Sequence, residues 1–407
     1  MKFCSCCTVG IEKNMSGLIK ELVAQQAELT EWRRTIHANP ETAFEEEKTA
    51  AFVAKVLQDA NLRVDCGIAK TGVIATLKGQ LEGPSIALRA DMDALNMTEL
   101  NETAHRSKNP GKMHACGHDG HTVMLLAAAR HLAQNRPKSG TVHFIFQPAE
   151  EGQGGGRVMV EEGVVQRYGI DEVYGMHNWP DLPMGQIAVH SGPAMAAADM
   201  FTIKLGGRGG HGAMPHQTKD PVVAAAQIIT ALQTIVSRNT DPTQSAVVSV
   251  TCVQAGETHN VIPESAELCG TARSFDPRVR QTIEDKIRGL STGIASAYGL
   301  SCIVDYNRGY PPTVNSHSEA DFAAHVAASV VGTNGVLRQM PPSMGAEDFA
   351  YFLNEKPGCY IWLGTGINAG EPGLHHPRYD FNDQAIPIGA SYWVKLVEER
   401  LSKATRA

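Results

Sequence analysis

Residues 141–177, TVHFIFQPAEEGQGGGRVMVEEGVVQRYGIDEVYGMH, set out the fold in miniature. Thr141–Gln147 is a short run rich in β-branched and aromatic residues, stopped by Pro148, and reads as a strand. Gly155–Glu162 has helical spacing, and Glu172–His177 reads as a second, buried strand. The same alternation extends outward. Upstream, Met15–Ile36 and Glu46–Asn61 are predicted helices, Thr71–Lys78 and Ser85–Arg89 strands, and Thr122–Gln134 a helix. Downstream, Ser318–Val331 and Ala346–Asn354 are predicted helices, Cys359–Gly364 a strand and Ile388–Ser402 a helix. Such βα alternation predicts an α/β domain, a central sheet flanked by helices.

One stretch keeps a different rhythm. Phe201–Leu205 is strand-like, and Asp220-Pro221 opens a helix to about Asn239, with Asp as the N-cap and Pro at the first helical position. Ala246–Gln254 and Ala266–Ser274 are strand-like, Asp276-Pro277 opens a second helix to about Tyr298, and Ser301–Tyr306 closes as a strand. The order β-α-β-β-α-β is that of a ferredoxin-like α+β unit. Residues 197–311 are therefore expected to be a domain inserted into a larger one formed by 15–196 and 312–407, with 1–14 an extension lacking order.

The chain has 407 residues, enough for two domains, with 43% hydrophobic and 19% charged residues. This composition excludes collagenous, disordered and disulfide-scaffold classes. The net charge of −7, without a basic block, argues against a nucleic-acid partner. No run approaches 18 consecutive apolar residues, and Met1–Gly10 lacks the apolar centre of a secretory signal, so no membrane partner and a cytoplasmic location are expected. Nine cysteines, an odd number, fit reduced thiols better than a disulfide framework. Cys4, Cys6 and Cys7 have no second cluster nearby and read as incidental.

The densest chemistry is Met113-His114-Ala115-Cys116-Gly117-His118-Asp119-Gly120-His121, just before a predicted helix. Cys116 and His118 are two apart, with Gly117 free to bend the backbone so that both converge, and thiolate with imidazole suits zinc-like ions. Beyond the strand ending near Pro148 stand Glu150 and Glu151. Ligand sites of open α/β sheets lie beyond the carboxyl ends of strands, and adjacent residues in irregular backbone point differently. One glutamate can thus hold metal while the other handles protons. A lone His on an apolar strand is more often a core residue. His177, however, ends the strand following the glutamate pair, and His375 or His376 offers another imidazole after a strand. Asp91, also at a strand end, could orient a ligand, whereas Asp93 reads as a turn cap. More candidates than the four of a closed zinc site suggest two ions.

Together these motifs resemble the metal-dependent aminoacylase and carboxypeptidase family, in the branch containing hippurate hydrolase and plant indole-acetyl-amino-acid hydrolases. The resemblance runs from about residue 28 to 400. It rests on Arg89-Ala-Asp-Met-Asp-Ala, His114-Ala-Cys-Gly-His-Asp-Gly-His, Gln147-Pro-Ala-Glu-Glu-Gly, Gly209-Gly-His-Gly-Ala-Met-Pro-His, Asn260-Val-Ile-Pro, Ser343-Met-Gly-Ala-Glu-Asp-Phe and Leu374-His-His-Pro-Arg-Tyr-Asp-Phe-Asn-Asp. It implies a catalytic α/β domain with a binuclear site and an inserted lid that mediates homodimerisation. Carried over, Cys116, His118, Glu151, His177 and His375 are metal ligands and Glu150 the general base; His376 falls on the family's variable position. The ions implied are zinc or manganese, with cobalt or nickel tolerated by such donors. A metal lowers the pKa of its water from about 15.7 to about 7. His211 corresponds to the histidine that supports the oxyanion, a donor whose loss typically costs about 10²–10³ in turnover. Arg273, with Asn260, could hold the carboxylate of an amino-acid product.

The expected activity is hydrolysis of N-acyl amino acids, with N-aroyl (hippurate-like) or N-acetyl substrates. A metallo-dipeptidase or carboxypeptidase using the same site is the close alternative. A non-catalytic metal or acyl-amino-acid binding protein fits less well, because both the base and the ligand set are present.

Overall fold

The predicted alternation builds a mixed eight-stranded sheet. Its strands run in the order Arg63–Ile68, Gly72–Lys78, Ser139–Gln147, Leu81–Asp91, Glu172–Pro183, Gly358–Gly366, Ile187–Val189, Val336–Leu337. The structure, a computed structural model, describes residues 17–368 and 370–402, so the expectations for 1–14 and for Cys4, Cys6 and Cys7 lie outside the described residues. By its internal contacts the chain divides into two compact units, Met1–Gly192 with Val314–Pro341 and Tyr351–Ala407, and Pro193–Thr313 with Pro342–Ala350.

The large sheet belongs to the first unit. Ser139–Gln147, Leu81–Asp91, Glu172–Pro183 and Gly358–Gly366 are mutually parallel neighbours, while the strands at Arg63–Ile68 and Gly72–Lys78 join antiparallel. Parallel pairing brings the carboxyl ends of four central strands to one edge. That edge is where such sheets place ligands. Helices His118–Gln134, Gln26–His37, Glu47–Asp59 and Ile386–Arg400 flank the sheet and share one hydrophobic core with it.

The structure corrects several sequence expectations. The helix predicted from Thr122 begins at His118, directly after the left-handed Gly117 (φ +88°), and every side chain from His118 to Ala129 is buried. His118-Asp-Gly-His reads locally as loop, but His118 Nδ1, Asp119 and His121 meet partners far away in sequence. The strand expected to end at His177 runs on to Pro183, and the helix expected at Ala346–Asn354 spans Ala350–Glu355. Ile187–Val189 and Val336–Leu337 are too short to show a period, and Arg63–Ile68 is an edge strand with half its residues exposed.

The second unit holds Ala197–Gly206, Pro221–Thr234, Ala246–Ala255, Ser265–Ser274, Pro277–Ala297 and Ser301–Arg308. Its four-stranded sheet is antiparallel, in the order Ala246–Ala255, Ser265–Ser274, Ala197–Gly206, Ser301–Arg308. Asp220 and Asp276 accept the backbone N–H of Val222 (2.8 Å) and Arg278 (2.6 Å), the N-caps that the two Asp-Pro pairs predict. Residues 221–239 form a helix long and apolar enough, by length and composition, to cross a membrane. Its Ala224, Ala225, Ile228, Leu232 and Ile235 are buried in the core of this unit with Ile203, Leu268 and Ile287.

Candidate metal centre

Three left-handed backbone positions shape the strand-end cluster. Gly117 stands between Cys116 and His118, and a Cβ there would lie 2.3 Å from Asn178 Oδ1. Ala149 (φ +56°) immediately precedes Glu150, and His375 itself has φ +61°, its N–H donating to Ala115 O at 2.8 Å. Left-handed backbone costs a non-glycine residue about 1–2 kcal/mol, and such strain collects at functional sites.

The donor atoms converge. Cys116 Sγ lies 3.4 Å from His177 Nε2, and His375 Nε2 lies 3.2 Å from Glu151 Oε1. One donor each from Cys116, His118 and His177 falls within a 4.8 Å span, as it does from Cys116, Glu151 and His375, and from His118, Glu150 and Glu151. Every ligand position carried over from the resemblance is in this cluster, whereas His376 Nδ1 accepts the N–H of Arg378 instead.

Hydrogen bonds select the imidazole nitrogen that faces inward. His118 Nδ1 donates to the Asp93 carbonyl oxygen (2.9 Å) and lies 3.2 Å from its carboxylate. Among the described residues His118 Nε2 is left buried without a hydrogen-bond partner, 3.8 Å from Asp91 Oδ2 and 3.9 Å from Glu151 Oε1. His177 Nδ1 donates to the Asn178 carbonyl at 2.7 Å, which turns its Nε2 toward Cys116. An orphaned imidazole nitrogen beside a thiol and carboxylates is the donor chemistry that divalent ions of the zinc type take.

Asp93, read from sequence as a turn cap, holds the His118 ring, and its Oδ2 also accepts the Glu151 N–H at 2.9 Å. Asp91 instead receives His121 Nδ1 (2.5 Å) and Arg89 Nη1 (2.6 Å). Asp91 ends its strand and Asp93 stands two residues beyond it, and nothing local ranks them. Replacing Asp93 with Ala should weaken metal binding about 10–100-fold, as loss of such partners does elsewhere. Competition with a chelating dye measures this; wild-type affinity would remove Asp93 from the centre.

The electrostatics call for a cation. Burial, reinforced by the carboxylates of Glu151, Glu150 and Asp91, pushes the Cys116 thiol well above its ordinary pKa. Burial alone would lower His118, yet Asp91, Asp93 and Glu151 raise it to about 10. Glu151 is held below the usual range despite burial, chiefly by His375 and His118. Burial and His121 keep His177 well below its ordinary value, hence neutral. Behind the loop lies a buried charged array that the sequence did not reveal. Arg33, fully buried, reaches Asp119 Oδ2 (3.4 Å), Asp380 (2.8 Å) and Asp383 (2.7 Å), and His37 Nδ1 donates to Asp119 at 2.8 Å.

The remaining expected site residues lie in the second unit. His211 pairs with Val261 in a two-residue ladder, and the Gly212 N–H donates to Asn260 O at 2.8 Å, so His211 and Asn260 come together. The His211 ring is exposed, with Nδ1 accepting the Ala213 N–H at 3.1 Å. Arg273 is half-buried on Ser265–Ser274, donating to Thr271 Oγ1 and to Ala272 O, while the nearby Asp199 is engaged by Arg280. Among the described residues Arg273 forms no ion pair.

The family model described as peptidase family M20/M25/M40 matches residues 87–399. The chain is 42% identical over 370 residues to N-acetylcysteine deacetylase of Bacillus subtilis (strain 168), covering 90% of this chain and 95% of that protein. It is 40% identical over 380 residues to hippurate hydrolase of Campylobacter jejuni, covering 93% and 98%. A Bacillus subtilis structure described as a dinuclear metal binding peptidase of the M20 family superposes with a TM-score of 0.80 at 38% identity, covering 93% of this chain and 99% of that one.

Proposed function

Because the chain belongs to peptidase family M20/M25/M40 and is a metal-dependent amidohydrolase, we propose that it cleaves N-acyl amino acids, N-aroyl or N-acetyl, at a binuclear centre. One observation carries this reading: the donor atoms of Cys116, His118, Glu151, His177 and His375 gather beside Glu150. These five residues would hold two divalent ions, zinc or manganese, with cobalt or nickel also suited to the donors. When bound, such ions supply Lewis-acid polarisation of the amide carbonyl and make water acidic enough to react near neutral pH.

The chain's own residues do the rest. Glu150, 7% exposed, takes a proton from the attacking water. The water oxygen bonds to the acyl carbon, the C–N bond breaks, and Glu150 passes the proton to the departing amine. His211 donates to the developing oxyanion. Arg273 grips the carboxylate of the amino-acid half as a two-pronged donor, and Asn260 adds an amide N–H. In this reading residues 197–311 are a lid and homodimer interface, 15–196 and 312–407 form the catalytic domain, and the enzyme is cytoplasmic.

The test is amino-acid release by protein stripped of metal and reloaded with zinc or manganese, on hippurate, N-acetyl amino acids and dipeptides. Metal-dependent release from the acyl substrates, with dipeptides slower, is expected. Faster cleavage of dipeptides moves the enzyme to the peptidase side, and metal binding without any release leaves a binding protein.

A further inference from the structure

Two left-handed, non-glycine residues in the first unit share one buried acceptor. Phe44 (φ +62°) and Ala149 (φ +56°) are more than a hundred positions apart, yet both donate their backbone N–H to Glu46 Oε1, at 3.1 and 2.9 Å. The other oxygen, Oε2, accepts from Thr71 Oγ1 at 2.5 Å. Glu46 is fully buried. Sequence spacing placed it only at the start of a helix, which in fact begins at Glu47 with Glu46 as the residue before it.

The second of these strained residues matters most, because Glu150 follows it. Strain at Ala149 persists only if its surroundings over-determine it. They do so from both sides: Glu46 takes the Ala149 N–H, and the Gly155 N–H donates to Ala149 O at 2.9 Å. Position 155 cannot carry a side chain, since a Cβ there would stand 1.8 Å from Pro148 O. The turn that aims Glu150 is therefore built against an immovable wall on one side and one carboxylate on the other.

We propose that Glu46 is a positioning residue that clamps the Ala149 turn and thereby sets the direction of the Glu150 carboxylate. The proposal rests on the reading of Glu150 as the base. The clamp works through acceptor geometry rather than charge. Burial pushes the Glu46 carboxyl up to about 7, so near neutrality it is often uncharged, and Oε1 accepts both N–H groups in either state. An amide oxygen in the same place would serve equally.

Glu46→Gln keeps an oxygen where Oε1 lies; Glu46→Ala leaves the buried Ala149 N–H and the part-buried Phe44 N–H without that acceptor. The metal-loaded Ala variant should keep the wild-type metal content and a KM within about threefold, yet lose about 10–100-fold in kcat, the scale of an ångström-sized misplacement. The Gln variant should stay within about threefold of wild type in both parameters. Wild-type kcat in Glu46→Ala overturns the proposal, as does a loss shared by both variants and matched by lost metal or lost fold. If Glu46→Ala folds poorly, the same substitution is made in an Ala149→Gly background, where glycine holds a positive φ unaided. There the further kcat loss should shrink to about threefold or less, and an undiminished loss overturns the clamp.

Hydrogen exchange separates failure of the clamp from failure of the hydrolytic reading. Should the wild type cleave no acyl amino acid or peptide, that reading falls. Faster amide exchange in peptides spanning residues 146–156 of Glu46→Ala, but not of Glu46→Gln, would still report the clamp. Unchanged exchange overturns it.

Discussion

Glu150→Gln is expected to lower kcat by about 10²–10⁴-fold, the usual contribution of a positioned acid–base group, while bound metal stays at the wild-type level. The amide matches the carboxylate in size and can fill the same nearly closed space, where Glu150 is only 7% exposed. It cannot accept a proton from water, so the step lost is the chemical one and KM should change little. The neighbouring substitution provides the contrast. Glu151 lies 3.2 Å from His375 and within the Cys116 group, so Glu151→Gln should lose metal along with activity. Elemental analysis beside kcat on an N-acyl substrate decides the matter. Activity within a few-fold of wild type in Glu150→Gln would remove it as the base, and parallel loss of metal would make it a ligand.

The strand-end motifs show what local sequence can carry. Adjacency of Glu150 and Glu151 in irregular backbone leads to an expectation of two roles, and the two-residue spacing of Cys116 and His118 around a glycine was enough to foresee their convergence. Gly117 at φ +88° is the bend that the spacing required. The Asp-Pro helix starts of the second unit were legible for the same reason, since each cap bond closes within three residues.

What escaped the sequence depends on chain segments meeting from a distance. Asp93 orients His118 because the strand Leu81–Asp91 lies beside Ser139–Gln147 and Glu172–Pro183, and strand order is not written in any one strand. Glu46 reaches Ala149 across the fold, and Arg33 sits in an apparently ordinary helix until Asp119 and Asp380 close around it. In each case a charged residue that local reading assigns to a cap or a solvated face is buried by partners many positions away. The polar loop before Thr122 was misread for the same reason. Its residues are helical and buried, with His118 Nδ1, Asp119 and His121 bonded to residues outside the segment.

Chelation is the second large expected effect: turnover should vanish, thermal stability should fall by several degrees, and zinc or manganese should restore both. A ligand that binds only the native state stabilises it by about 4.1 kcal/mol at a thousand times its Kd. The pH dependence of rebinding follows from the site itself. The Cys116 thiol is held well above its usual pKa by burial and three carboxylates, and His118 is raised to about 10, so without a cation both retain protons at neutral pH. A metal must displace them, and binding therefore releases protons. The sign is fixed: these groups are protonated below their raised pKa values, so apparent affinity increases with pH, by about tenfold per unit for each proton released. Calorimetric titration in buffers of different ionisation enthalpy counts those protons directly. Release of one or more per protein at pH 7 is the expected result, with affinity lower at pH 6 than at pH 8. Binding that releases none, or that is independent of pH, would mean that the metal does not use Cys116 and His118. The centre would then have to be sought outside the cluster at the strand ends.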